Sequence, residues 1–257
     1  MIFYLGTHKT GWLERTDVPL FVSRRQLAIR SRLPRARGRW ALDSGGFSEL
    51  SMFGRWETSP EVYASEASRF AAEVGGMDWA AIQDWMCEPS VRARTGLSVR
   101  EHQERSIGSL HRLRELAPHV RWAPVLQGWE PRDYTRHVEL YRAAGVELER
   151  APVVGVGSVC RRQDVDPIIG LVRELAQEMP IHVFGFKTDG LPRVQDVVAS
   201  SDSMAWSAGA RRRDPIQGHT HATCANCIEW ALRWRAQLLA GVERRAAHGR
   251  AQRALFA

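Results

Sequence analysis

Trp40-Ala41-Leu42-Asp43-Ser44-Gly45-Gly46-Phe47 reads as a short buried strand that ends in a carboxylate, two bare backbone positions and a ring. The glycines let a flat ligand approach the main chain, and Phe47 offers it a π face. Taken alone, the segment also suits a tight turn with Asp43 as a helix cap. The neighbouring strands decide between the two. Apolar or alternating runs predict strands at Ile2–Leu5, Leu20–Val22, Trp40–Leu42, Trp79–Ile82, Trp122–Leu126, Val153–Val156, His182–Phe184 and Ser203–Trp206. Amphipathic stretches at Ser59–Val74, Val99–Leu116, Pro131–Ala144 and Pro167–Glu178 predict helices between several of them. Strands alternating with helices imply a parallel sheet, and eight such units need about 250 residues. The expected fold is therefore α/β, a (β/α)₈ TIM-like barrel, with a doubly wound open sheet as the alternative.

Polar residues gather where a barrel carries chemistry, at the carboxyl ends of many strands. After the fourth strand comes Gln83-Asp84-Trp85, after the fifth Gln127-Gly128-Trp129, and after the sixth Gly155-Val156-Gly157-Ser158. A carboxylate and a carboxamide together can accept from and donate to a purine or pyrimidine edge, and glycine amides can reach its carbonyl. Each of these residues also suits an ordinary strand end. Gly155-Val156-Gly157-Ser158 lacks the third glycine of a dinucleotide fingerprint. The last run brings Asp202 to a barrel that already holds Asp43, and two carboxylates suggest glycosyl chemistry. In a retaining displacement they stand about 5 Å apart, one attacking the anomeric carbon.

Composition narrows the class. The 257 residues are 44% hydrophobic and 25% charged, too apolar for a disordered chain and long enough for a sizeable core. No apolar run reaches the roughly 18 residues of a membrane span, and the start lacks a basic leader. These features lead us to expect a cytoplasmic protein forming one domain over 1–257. Lys+Arg number 36 against 29 Asp+Glu, almost all arginine, with Lys9 and Lys187 the two lysines. Seven arginines from Arg24 to Arg39, and Arg211 to Arg213, can contact phosphates or form solvated faces. Of four cysteines, Cys224 and Cys227 form a CxxC that suggests a metal, whereas Cys87 and Cys160 read as packing residues. His8, His102, His111 and His137 are expected on surfaces or in caps.

Taken in order, DSGGF, Asp84 before Cys87 and Pro89, QG, GVG, HVFGF and a late Asp resemble the tRNA-guanine transglycosylase family. The similarity spans roughly residues 40 to 230 and is nearest to the short phage and bacterial members that insert 7-deazaguanines into DNA. It implies a (β/α)₈ barrel that exchanges guanine through a covalent sugar–enzyme intermediate without a redox or nucleotide cofactor. It implies Asp202 as nucleophile and Asp43 as general acid and base. Asp84 and Gln127 would read the base edge, and Phe47 and Phe184 would sandwich it. Ser44, Gly45, Gly46, Gly128, Gly155 and Gly157 complete the implied binding set. Trp85 and Trp129 depart from the family's usual neighbours and would bear on which base fits.

Zinc-binding members carry CxCxxC and a distant His; here His219, His221 and Cys224 occupy the equivalent spacing and Cys227 adds a fourth candidate, in a segment about 214–257. Four ligands in nine residues suit a closed, structural Zn²⁺ site, although His248 is an alternative to either His. The chain leaves no room for an added RNA-binding domain, so DNA is favoured over tRNA as partner. The base would be guanine or a 7-deazaguanine, and a homodimer stays open. Two alternatives remain: a transglycosylase or glycosidase acting on a free nucleoside or nucleotide, and a non-catalytic nucleic-acid-binding module stapled by zinc.

Overall fold

The computed structural model describes residues 1–159, 166–186 and 190–255, without the side chains of 246 and 248–255. The strands are β1 (Ile2–Thr7), β2 (Leu20–Ser23), β3 (Trp40–Asp43), β4 (Met77–Ala81), β5 (Trp122–Ala123), β6 (Val125–Leu126), β7 (Val154–Val156), β8 (Ile181–Val183) and β9 (Ser200–Ser203). The helices are α1 (Arg24–Ala28), α2 (Gly46–Phe53), α3 (Pro60–Val74), α4 (Pro89–Thr95), α5 (Val99–Leu116), α6 (Pro131–Ala143), α7 (Asp166–Leu175), α8 (Ala205–Ala210) and α9 (Ile228–Leu255). Among the described residues all strand pairs are parallel, in the order β5-β4-β3-β2-β1-β9-β8-β7-β6.

The two ends of that order are one chain segment. Pro124 has no N–H to give the ladder and splits the predicted Trp122–Leu126 strand into β5, paired with β4, and β6, paired with β7. The ring therefore closes into a TIM-like (β/α)₈ barrel of eight staves, and the open doubly wound sheet is excluded.

Alternation along the strands makes two apolar layers. Leu5, Leu20, Val22, Trp40, Leu42, Val154 and Ile181 point outward under the helices, with Tyr63, Phe70, Tyr134 and Tyr141 against them. Tyr4, Phe21, Ala41, Trp79, Ala81 and Ala123 fill the barrel interior. Helix tyrosines tie the layers together. The Tyr63 hydroxyl donates to Ala81 O at 2.6 Å, Tyr134 to Gly157 O at 2.8 Å and Tyr141 to Val125 O at 3.2 Å. Losing such a buried partner costs about 1–3 kcal/mol, so these bonds fix the strand ends that carry the site.

Helix boundaries follow their caps. Ser59 accepts from Val62 N before Pro60, and Ser98 and Glu101 close a capping box at the start of α5. The predicted Pro167–Glu178 helix runs instead over Asp166–Leu175.

Three expectations are corrected. The last strand is Ser200–Ser203, not Ser203–Trp206; Trp206 belongs to α8, where it packs on Trp12 and donates to Gly6 O. His102 is fully buried, held between Met86 O and the Thr95 hydroxyl. His137 is also fully buried, stacked on Tyr141. His111 is exposed as expected. Cys87 is buried, and Cys160 lies outside the described residues. No helix among the described residues is long and apolar enough to cross a membrane.

Candidate active site and metal centre

A cavity of about 390 Å³ opens at the carboxyl ends of the strands. Asp43, Asp84 and Asp202 line it from the ends of β3, β4 and β9, together with Ser44, Gly46, Phe47, Gln127, Gly157, Ser158 and Phe184.

The Asp43 turn is built by its own side chain. Oδ1 accepts from Gly45 N at 3.0 Å, so the carboxylate turns the chain rather than capping α2, whose first residue is Gly46. Gly45 has φ +80°, a conformation that a Cβ would strain. Burial raises the Asp43 carboxyl to about 6, against the opposing Gly45 N–H; the Asp202 charge adds to the rise.

Asp84 sits in a rigid polar frame. Gln127 Nε2 donates to its Oδ2, and Gln127 Oε1 meets the Ser158 hydroxyl at 2.6 Å. That hydroxyl also lies 2.8 Å from Glu88 Oε2 and accepts from Cys87 N. The contacts orient the amide: nitrogen to Asp84, oxygen to Ser158. Burial pushes the Asp84 carboxyl up to about 7, opposed by the Gln127 bond, with Asp43 and Glu88 adding to the rise. The backbone of Gln127 is pinned as well, because its N–H donates to His137 Nδ1 at 2.9 Å and its carbonyl accepts from Gln103. Burial holds His137 down at about 3, so the ring is neutral and able to accept.

Asp202 Oδ1 accepts from Gly185 N at 2.8 Å and lies 3.3 Å from His182 Nε2. His182 Nδ1 in turn meets the Ser200 hydroxyl at 2.8 Å. Both contacts fall on one oxygen, Oδ1, and no hydrogen bond among the described residues engages Oδ2. The sequence reading missed His182. Its signal was the alternation of β8, which points His182 inward with the rings of Tyr4, Phe21, Trp79 and Phe184.

Three predicted binding glycines lie off the cavity wall. Gly45 makes the turn. A Cβ on Gly128 would meet Asp133 and Tyr134 within 3 Å, and one on Gly155 would stand 2.3 Å from the Phe184 ring. Gly155 thus makes room for Phe184. Gly157 does line the cavity and lies against the Gln127 amide, 2.2 Å from where its Cβ would be. Neither Trp85 nor Trp129 lines it; Met86 does, and Trp85 stacks under Arg105 on the outer flank. The arginine run also divides. Arg24 is buried against Glu49, Glu66 and Thr58, and Arg39 pairs with Asp78.

The second centre joins α8 to α9. One ligand atom from each of His219, His221, Cys224 and Cys227 lies within 4.8 Å of the others. His219 Nδ1 is 3.2 Å from His221 Nε2, His221 Nε2 3.1 Å from Cys224 Sγ, and both thiol sulfurs 3.8 Å from His219 Nδ1. A tetrahedral ion with metal–ligand bonds of about 2.0–2.3 Å has edges of roughly 3.3–3.8 Å; the four separations, 3.1 to 3.8 Å, lie near that range, and the donor set of two imidazoles and two thiols suits such an ion. The surroundings fit too. His219 Nε2 faces Glu229 Oε2 at 3.1 Å, and Ile216 N donates to Cys224 Sγ. The His248 side chain lies outside the described residues.

Comparison with known proteins now bears on the chemistry. The family model described as DpdA, DeoxyPurine in DNA protein A, matches residues 1–255. The chain belongs to the DpdA family. A barrel with a three-carboxylate cavity is thus what this DpdA-family chain presents at its strand ends. No curated protein matches the chain. Among solved structures, a protein of Coccidioides immitis described as a fructose-1,6-biphosphate aldolase is similar at 10% identity and a TM-score of 0.48, over 95% of this chain and 87% of that one. That likeness is too slight to bear on function.

Proposed function

We propose that the protein exchanges guanine in DNA for a 7-deazaguanine base through a covalent bond between Asp202 and the deoxyribose. One observation carries the reading: in a chain of the deoxypurine-in-DNA family, Asp43, Asp84 and Asp202 converge on one cavity whose size suits a small-molecule ligand.

Asp84 and Gln127 take the base edge. With Oδ2 engaged by Gln127, Asp84 Oδ1 is left to accept N–H groups of the purine, and Phe47 and Phe184 offer it ring faces. Oδ2 of Asp202 then attacks C1′ as the C1′–N9 bond breaks. The bond's electrons stay on the departing guanine, which takes a proton from the Asp43 carboxyl. In the return step Asp43, now a carboxylate, removes a proton from the incoming base; its nitrogen attacks C1′, and the Asp202 ester breaks. Two displacements give retention. A carboxyl near 6 suits both halves, since at pH 7 about a tenth of it is protonated. The reacting nucleotide reaches C1′ chemistry from a single strand or by extrusion at a cost of a few kcal/mol.

The metal at His219, His221, Cys224 and Cys227 is zinc in this reading, with a structural role. It would tie the start of α9 to the loop after α8, and no step passes through it.

The test is exchange of labelled guanine in DNA, in tRNA and in free deoxyguanosine, each with wild type and Asp202→Asn. Exchange in DNA that the substitution abolishes supports the reading. Equal background in both proteins with every substrate removes it, and exchange confined to the nucleoside replaces DNA as the substrate.

A further inference from the structure

Beside the cavity lies a cleft of about 510 Å³ on the outer flank of the barrel mouth. Its walls come from the connection after β1 and from α1 with the residues that follow it. Lys9, Arg15 and Arg30 line it with His8 and Asn226. No Asp or Glu is among the lining residues, and none of these three cations forms an ion pair among the described residues. Some exposed arginines elsewhere are neutralised, as Arg100 is by Glu104 and Arg142 by Glu149 and Glu178, whereas this cleft gathers three cations with no carboxylate in its lining. Three unpaired cations around one cleft repel each other, and an anion between them relieves the repulsion.

We infer that this cleft is a phosphodiester site that holds the backbone of the substrate strand, a reading that rests on DNA as the substrate. Its position supports a polymer rather than a free anion. Gly6 and Thr7 line the catalytic cavity, and the next residues, His8 to Trp12, line the cleft. Thr7 and Lys9 can be at most about 7 Å apart, so a strand whose base enters the cavity passes the cleft within a nucleotide or two. The metal segment completes the site. Asn226 lies between Cys224 and Cys227, and its Oδ1 meets His8 Nε2 at 2.8 Å, which sets one wall of the cleft by the same loop that carries the metal ligands.

The experiment measures binding rather than turnover, using Asp202→Ala protein and a short fluorescent single strand containing one guanine. Affinity is followed between about 50 and 200 mM salt, where each neutralised phosphate of a single strand contributes about 0.7 to the slope of log K against log salt. Adding Lys9→Ala, Arg15→Ala and Arg30→Ala should flatten the slope by about 2 and weaken binding at least tenfold at the lowest salt. Because Lys9 is half-buried, the Arg15→Ala/Arg30→Ala pair is run beside it and should flatten the slope by about 1.4. Arg142→Ala, at the opposite end of the barrel, should change neither. Unchanged affinity and slope in both cleft variants overturn the proposal. So does loss of inorganic phosphate binding with the DNA slope intact, which would make the cleft a free-anion site. Because no turnover is needed, a failed exchange assay with an intact cleft effect removes the chemistry and leaves the cleft.

Discussion

Replacing Asp84 by Asn should stabilise the protein, and more at pH 8 than at pH 5. Asp84 is 9% exposed, and burial lifts its carboxyl from an ordinary 3.8 to about 7. A raised carboxyl binds protons more readily in the folded state, so its destabilising effect is absent below pH 4, grows as pH rises and is complete above 7. At about 1.36 kcal/mol per pH unit the effect is roughly 2 kcal/mol at pH 5 and roughly 4 kcal/mol at pH 8. Asn keeps the frame, because its Oδ1 still accepts from Gln127 Nε2, and it carries no charge to desolvate. Urea denaturation of both proteins at the two pH values reads the difference. His137 titrates in both proteins and drops out of the comparison. The Asn protein should gain about 2 kcal/mol more at pH 8 than at pH 5. An equal gain at the two pH values, or a loss at pH 8, would refute the claim that burial destabilises the charged form of Asp84. The same substitution should weaken discrimination for guanine, since an amide donates where the carboxylate accepted.

Gly157→Ala places a Cβ against the Gln127 amide and should cut kcat/KM for exchange at least tenfold while the far-ultraviolet spectrum stays unchanged; steady-state kinetics on DNA check it. Covalent adduct formation in single turnover should fall about tenfold per pH unit above 6, where Asp43 loses the proton the leaving base needs. Asp43→Asn should be slow and flat over the same range. Cys224→Ser should abolish stoichiometric metal in elemental analysis and lower Tm, because two ring nitrogens and one thiolate remain. Metal release from wild type should rise steeply on acidification, as the ligands compete with protons.

Much of the barrel was legible because its outer strand faces are regular. Leu20–Val22 and Trp40–Leu42 are the short continuous apolar runs that a parallel strand buried on both faces requires, and Ser59-Pro60 and Ser98 announce their helices by capping chemistry. The last strand was not legible. Ser200-Ser201-Asp202-Ser203 is small and polar because its inner face borders the cavity, and the apolar Ala205-Trp206 that follows mimics a strand while serving as a helix anchor. Asp43, Asp84 and Gln127 stood out by residue type at predicted strand ends, Asp202 by its place beside the last run and Phe184 through the family resemblance, and the structure brings all five to one cavity. Glycine roles were harder. Gly155 and Gly157 look alike in sequence, yet one accommodates the Phe184 ring and the other the Gln127 amide, which depends on long-range packing. His102 and His137 failed for a related reason: a helix histidine reads as surface until a strand end supplies its partner, as Gln127 N does for His137. The His/Cys segment was legible because its four residues of metal-ligating type lie within nine positions of one another in sequence.

The most direct measurement is intact-mass analysis after incubation with guanine-containing DNA and quenching under denaturing conditions, comparing wild type with Asp202→Ala. A protein–DNA adduct in wild type, absent in the variant and discharged by adding a 7-deazaguanine base, is the predicted result. An adduct that survives in Asp202→Ala, or exchange in DNA without any adduct in wild type, would contradict Asp202 as the nucleophile.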